Sequence, residues 1–498
     1  MSFLRTVLCL LYCNLVLGSD TYRAAVVDVS RTDVSSRNYA SLIREAGEIN
    51  VDLLVLPNQK VETYEPAFDS CINGLNNYDE IVKSVSSAAK EAHIYVIAQL
   101  YEKARCQNRD ELIRNNLVFD RNGAVVSVYR KPVNSASKCN TTITKMVRFT
   151  TDFGVTFGVL TEDDIILTSK KELNGIKNFV VSASTERTYI FAKQFSTFWA
   201  YTNNMNVITD NGKVFGNVDL IKSNNLLVAD FKENGSNDIS RTLVITPPLT
   251  YSTDLNQYII RPLDLKASSE GYKQTICHGS LCCQFYVKTS FIDSQTAKLI
   301  YVLPKAAVSR RNIDYGCFNI HRGSKQDITF GLVVFDGVQQ LTNNNIGVQT
   351  CAVVACASLY KRSCFIRSEN NNTNIRFDKI SISGNFTNDN TDHFPTILTT
   401  TQNVLNKDNF KFTSKNKNSK YISTELYRTE NVLTFGIFGR DYSKDYETFE
   451  FGRINDTDYM LDFSEYISSE NVQEFFDYLW IRLRILIFVV SIYILEMM

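Results

Sequence analysis

The residues in this chain that could do chemistry stand at the ends of three apolar stretches. Phe157 to Thr161 alternates like a strand inside Asp152-Phe-Gly-Val-Thr-Phe-Gly-Val-Leu-Thr-Glu-Asp-Asp-Ile-Ile-Leu167, then runs into Glu162, Asp163 and Asp164. Leu53-Leu-Val-Leu-Pro-Asn58 ends in an amide, and Val125-Val-Ser-Val-Tyr-Arg-Lys131 ends in an ammonium. A central strand that ends in a charged turn is where open α/β sheets place their chemistry. Asn58 has no proton-accepting carboxylate and cannot serve as a general base. An ion pair between Lys131 and Glu162 is expected, each charge balancing one that is costly to bury alone, with the alternative that both stay solvated.

The elements that must position these groups alternate in kind. Tyr22–Val29 reads as the opening strand, and Ser35 or Ser36 could cap a helix through Glu48 with Leu42, Ile43 and Ala46 on one face. Val51–Pro57 is apolar nearly throughout, as in a sheet covered on both faces. A helix over Asp79–Ala92, with its apolar face at Ile81, Val82, Val85, Ala88, Ala89 and Ala92, leads to a strand at Ile94–Leu100. Arg121-Asn122-Gly123 predicts a hairpin between Asn116–Asp120 and Ala124–Arg130. Beyond Leu167, strands at Asn178–Ala183 and Met205–Thr209 flank a helix near Tyr189–Thr202. Alternating strands and helices argue for an α/β class. After about residue 250 the pattern becomes strand-like with many cysteines.

Composition narrows the function classes. The 498 residues suffice for two or three domains. Hydrophobic content of 44% is too high for disorder, and 53 basic residues balance 53 acidic ones, which argues against a nucleic-acid surface. No phosphate loop or dinucleotide fingerprint appears, and four scattered histidines make a metal site improbable, so neither cofactor nor metal is expected.

Arg5 followed by an apolar run from Val7 to Leu17 reads as a secretory signal over residues 1–18. Its removal takes away Cys9 and Cys13 and leaves ten of the 12 cysteines: Cys71, Cys106, Cys139, Cys277, Cys282, Cys283, Cys317, Cys351, Cys356 and Cys364. An even number in an exported chain suggests disulfides. A mutual bridge between Cys71 and Cys106 is expected, and adjacent Cys282 and Cys283 should each bond a distant partner rather than one another. Cys139 falls in a loop, where a disulfide is more expected than a nucleophile. Sequons at Asn140, Asn234, Asn371, Asn385 and Asn455 agree with export. The apolar tail Ile485–Leu495 is shorter than the ~20 residues of a spanning helix. It fits the ~10–20 residue tail of a glycolipid-anchor signal, with Ser468 or Ser469 as attachment site.

The three strand ends together resemble the nitrilase superfamily, which uses a Glu, a Lys and a Cys at such places. The closer similarity is to its secreted branch, the vanins (pantetheinases) and biotinidase. Cys277-His-Gly-Ser-Leu-Cys282-Cys283, Phe330-Gly-Leu-Val-Val-Phe-Asp-Gly337 and the Cys351/Cys356 pair follow that family's order, as do Ser381–Thr387 and Phe435–Arg440. The resemblance implies a nitrilase-like four-layer α-β-β-α sandwich over residues 22–240. A β-rich vanin-type domain over 250–466 and the tail at 467–498 complete the expected organisation. It also implies site roles. Lys131 matches the oxyanion lysine, Pro57-Asn58 stands for the family's Pro-Glu base, and Thr161-Glu162-Asp163-Asp164 for its Thr-Cys-x-Asp nucleophile segment. The segment after Glu162 looks shorter than in active vanins. The expected protein is a secreted or surface-anchored pseudoenzyme that binds a small-molecule or protein ligand. The alternative is an amidohydrolase acting on pantetheine- or biotin-amide-like substrates.

Overall fold

The computed structural model of the chain describes residues 21–28, 38–58, 78–107, 109–133, 139, 141–142, 144–182, 192–210, 214–215, 220–232, 255–291, 329–341, 344–356, 361–364, 375–386, 390–399, 408–416 and 420–448. The expected leader, Ser35, Ser36, Cys71, Cys317, the sequons at Asn140, Asn234, Asn371 and Asn455, and the tail with Ser468 and Ser469 lie outside these residues.

The first half runs β1 (Thr21–Val27), α1 (Tyr39–Glu48), β2 (Leu53–Val55), α2 (Tyr78–Ala92), β3 (Tyr95–Cys106), β4 (Arg109–Phe119), β5 (Val125–Pro132), β6 (Val147–Thr150), β7 (Thr156–Thr161), α3 (Glu162–Leu167), β8 (Asn178–Ser182), α4 (Ala192–Asn203), β9 (Asn206–Thr209), β10 (Val214–Phe215), β11 (Leu220–Ser223) and β12 (Leu226–Lys232). These strands form a seven-stranded sheet, ordered β11-β12-β1-β2-β3-β4-β5, and a five-stranded sheet, ordered β10-β9-β8-β7-β6.

Strand alternation decides the layers. Ala24 and Val26 turn inward, and join Leu53, Val55, Tyr95, Ile97, Tyr129, Phe157, Val159 and Phe231 in a core between the two sheets. Ala25 and Val27 turn outward and pack with Leu42, Ile43 and Ala46 of α1 and Val85, Ala88 and Ala89 of α2. Leu160, Phe179 and Val181 on the far side of the second sheet meet Ile165 of α3 and Phe195, Phe198 and Trp199 of α4. The result is a four-layer α-β-β-α sandwich. Gly158 is a point of close approach: a Cβ there would stand 2.6 Å from the Phe179 ring and 2.7 Å from the Met146 sulfur.

Three local expectations shift. Helix α1 begins at Tyr39 after Asn38, which makes no side-chain cap bond. Strands β3 and β4 extend as a polar ribbon, pairing Cys106 with Arg109, well beyond the expected end at Leu100. Its charged residues disfavour a strand by propensity, and cross-strand pairing overrides that. The acids after Thr161 open a helix rather than a turn. Thr161 caps it and Asp164 reaches back in a capping box, and carboxylates suit a helix N-terminus.

The second half is β-rich, with β13 (Ile259–Pro262), β14 (Tyr272–His278), β15 (Leu281–Phe291), β16 (Thr329–Leu341), β17 (Asn344–Cys356), β18 (Ile375–Phe386), β19 (Thr391–Thr399), β20 (Phe410–Asn416), β21 (Lys420–Glu430) and β22 (Val432–Asp441). Two five-stranded antiparallel sheets result, ordered β13-β16-β17-β22-β19 and β14-β15-β18-β21-β20. Cys283 of β15 and Cys351 of β17, both fully buried, join the two sheets by a disulfide. Their core is continuous with the packing outside α3 and α4.

Candidate active site

Parallel strands β1, β2 and β3 in one sheet and β7, β8 and β9 in the other bring their C-terminal ends to one end of the sandwich. Strand β5 runs the same way, because it is antiparallel to β4 and β4 to β3. Asn58, Lys131 and Glu162 therefore all stand at this end.

Lys131 follows Tyr129 by two residues, so both side chains leave the same face of β5. Tyr129 is fully buried, and its hydroxyl lies 2.5 Å from Asp164 Oδ2 and 2.6 Å from the Lys145 carbonyl. Burial, and then the Asp164 carboxylate, push the Tyr129 phenol far above its usual range, so it stays a neutral donor. Thr161 donates to the same Oδ2 from its hydroxyl and its backbone N–H. Lys131 Nζ lies 3.5 Å from Asp164 Oδ1, 3.3 Å from the Thr144 carbonyl and 5.1 Å from the Tyr129 ring centre.

The expected ion pair thus has a different carboxylate. Asp164, at the third position of α3, reaches back over the helix start toward β5. Glu162, at the first position, is half-buried beside it. Charge balance at Lys131 is as expected, but the capping box chooses the partner.

Asn58 ends the β2 segment, where Leu56 N–H bonds the Ile97 carbonyl at 2.9 Å and the Pro57 carbonyl accepts from Tyr39 OH at 2.8 Å. The Asn58 side-chain oxygen is buried without a hydrogen-bond partner. Gln99 and Asn116, paired across β3 and β4 and each 2% exposed, also leave amide atoms unpartnered. Both fall on the face that carries Ile97 and Tyr129, toward the second sheet. Sequence reading missed this amide band, together with Tyr129 and Asp164. It also missed Asp28 after β1 and Asp210 after β9, two buried acids at the same end. Burial, and then Asp210, raise the Tyr39 phenol. The signal for the acids was available, since each directly follows an apolar strand.

The cysteines pair as Cys106–Cys139, Cys277–Cys282, Cys283–Cys351 and Cys356–Cys364. The expected Cys71–Cys106 bridge is replaced: the β3–β4 ribbon carries Cys106 out to the loop after β5, 5.0 Å between Cα atoms from Cys139. Cys139 is accordingly a disulfide partner, as its loop position suggested. Adjacent Cys282 and Cys283 do not bond one another: Cys283 has the expected distant partner, Cys351 in the facing sheet, whereas Cys282 pairs across its own hairpin with Cys277, at a separation of 5. Among the described residues no cluster of His, Cys, Asp and Glu is arranged to hold a metal.

The candidate site thus lies at one end of a two-sheet sandwich flanked by helices, where a strand-to-helix turn faces a lysine. A family model for the vanin C-terminal domain matches residues 310–445. Vanin-like protein 1 of Drosophila melanogaster is 23% identical over 86% of this chain and 87% of its own length. Pantetheinase of Canis lupus familiaris is 24% identical over 74% and 71%. Among solved structures, an amidase from Nesterenkonia sp. is matched over 44% of this chain and 93% of its own, with 14% identity and a TM-score of 0.31. Over most of its length the chain is thus similar to vanin-like proteins and to a pantetheinase, and its residues 310–445 match the vanin C-terminal domain.

Proposed function

We propose that this chain is a secreted or surface-anchored vanin-family protein that has lost thioester chemistry and acts by binding. The observation that carries the reading is the state of the thiols. Every cysteine among the described residues is in a disulfide, and the turn that would present a nucleophile carries Glu162. Amide cleavage through an acyl-enzyme needs a nucleophile that can be expelled again and a base to activate it. Asn58 supplies no base, and a carboxylate at 162 forms no thioester. Lys131 remains, and with Asn58, Gln99 and Asn116 it offers an ammonium and amide groups to a small polar ligand. The same surroundings suit a protein ligand that inserts a polar side chain.

The test is hydrolysis of pantetheine and biotin amides by the purified protein, beside the double variant Asn58→Glu/Glu162→Cys. The reading expects no turnover by the native chain and measurable turnover by the double variant. Turnover by the native chain overturns it in favour of an active pantetheine- or biotin-amide hydrolase. The presence of Pantetheinase among the relatives gives that second reading its support.

A further inference from the structure

Helix α3, which begins at Glu162, has only six residues, Glu162–Leu167. A helix this short does not hold itself in water. Its N-terminal end is fixed from the first sheet and by its own capping box, as described above. Its C-terminal end leaves carbonyls that must find donors elsewhere, and no basic residue lies in its own last turn.

Those carbonyls can be accounted for one by one. The Asp164 carbonyl accepts from Thr168 Oγ1 at 2.6 Å, and the Ile165 carbonyl from Thr168 N–H at 3.3 Å. The Leu167 carbonyl accepts from Lys145 Nζ at 2.5 Å. The next two donors come from the β-rich half, 274 residues further along the chain. Arg440 Nε donates to the Ile166 carbonyl at 2.8 Å, and Tyr442 OH lies 3.2 Å from the Thr168 carbonyl.

Arg440 is itself completely buried at the end of β22. Its guanidinium makes two bonds to Asp445, at 2.8 and 3.0 Å, donates to the Gly347 carbonyl, and lies 4.6 Å from the centre of the Tyr442 ring. Asp392 of β19 completes the clamp, accepting from Lys170 N–H just past α3 at 2.9 Å, and its Oδ2 shares the single Tyr442 hydroxyl proton with the Thr168 carbonyl, 3.2 Å from the hydroxyl in each case. A buried arginine is costly unless its donors are used, and here one of them is spent on the far end of the site helix. A cation at a helix C-terminus also suits the macrodipole.

We infer that Arg440, with Tyr442, is a positioning residue: the β-rich half sets the orientation of the helix that begins at Glu162, and through it the geometry of Asp164 against Lys131. The site belongs to both halves of the molecule, although every group at its mouth comes from the first. The inference holds whether or not the site is catalytically dead.

The experiment uses the full chain and the variants Arg440→Met and Tyr442→Phe, with Tyr446→Ala as control because Tyr446 is 95% exposed in the same segment. Hydrogen exchange is followed in peptides spanning 162–168 and, for comparison, β3. Roughly tenfold or faster exchange is expected at 162–168 in Tyr442→Phe and more in Arg440→Met, with β3 unchanged. The second readout is the pH profile of alkylation of a thiol introduced by Glu162→Cys, whose ionisation responds to the helix N-terminus beside it. Its midpoint should move toward the free-thiol value of about 8.5 in both clamp variants and stay in place in the control. Unchanged exchange at 162–168 in Tyr442→Phe, with an unchanged alkylation midpoint, overturns the inference. So does a loss of protection spread equally over β3, which would mark Arg440 as a general stability residue.

Discussion

Tyr129 OH and Asp164 Oδ2 stand 2.5 Å apart, so that strand β5 of one sheet and the helix start after β7 of the other share a single carboxylate. Lys131 closes on the other oxygen of that carboxylate. The two sheets are thus tied at the candidate site by one buried acid with donors on both sides.

Removing a donor from this acid should be costly. Tyr129→Phe keeps the ring and leaves Asp164 short of a hydrogen bond, and is expected to destabilise the fold by about 1–3 kcal/mol. Lys131→Met should cost a similar amount. A double-mutant cycle of Lys131→Met with Asp164→Asn should give a coupling above ~0.5 kcal/mol in urea unfolding. The same cycle run with Glu162→Gln should give the smaller value. The reverse order would return the charge balance to Glu162.

Peptide mapping without reduction should recover Cys106 linked to Cys139 and Cys283 linked to Cys351. The second bond closes a separation of 68 residues between two sheets. Its loss through Cys283→Ser/Cys351→Ser should cost about 2–5 kcal/mol, read as a lowered midpoint of the β-rich half. A Cys71–Cys106 peptide would contradict the observed pairing.

Stability should fall on the acid side through His278. Burial pushes its imidazole below the usual value of 6.5, and Lys444 adds to this while Asp336 opposes it. Its Nδ1 accepts from the Asp336 N–H at 3.1 Å, a bond that needs the nitrogen unprotonated. A folded value below the unfolded one means that the unfolded chain binds more protons between the two. The contribution is therefore complete above the unfolded value near 6.5 and is lost as pH falls through the folded one. Unfolding midpoints from pH 7.5 to 5 should drop less steeply in His278→Gln than in the native protein. Parallel curves would remove His278 from the explanation.

Asn385 is exposed on β18, across from exposed Tyr421 on β21. Expression through a secretory pathway should add a glycan there, seen as a mass decrease on enzymatic deglycosylation that is abolished by Asn385→Gln. An unmodified Asn385 in exported protein would show that the neighbouring sheet face keeps the transferase away.

The layers were largely legible from the chain. Burial of Leu42, Ile43 and Ala46 in α1, and of Val85, Ala88 and Ala89 in α2, follows the expected helical faces. The hairpin at Arg121-Asn122-Gly123 forms with Gly123 at φ 78°, in the left-handed region its residue type permits. The β3–β4 ribbon was less legible. Glu102, Lys103, Arg105 and Asp110 read as loop residues until their cross-strand pairing is known.

By itself the sequence determined which side chains stand at the strand ends: an amide at 58, an ammonium at 131 and an acid at 162. Strand alternation and helical period are local, and they are written within a few residues of each position. Only the tertiary structure decided that Asp164 faces Lys131, that Cys106 joins Cys139, and that Arg440 secures the helix after Glu162. Those partners are far apart in sequence or differ by a single helical step. A hydrogen bond is made only by atoms brought within about 3 Å, a distance that long-range packing sets and local pattern does not.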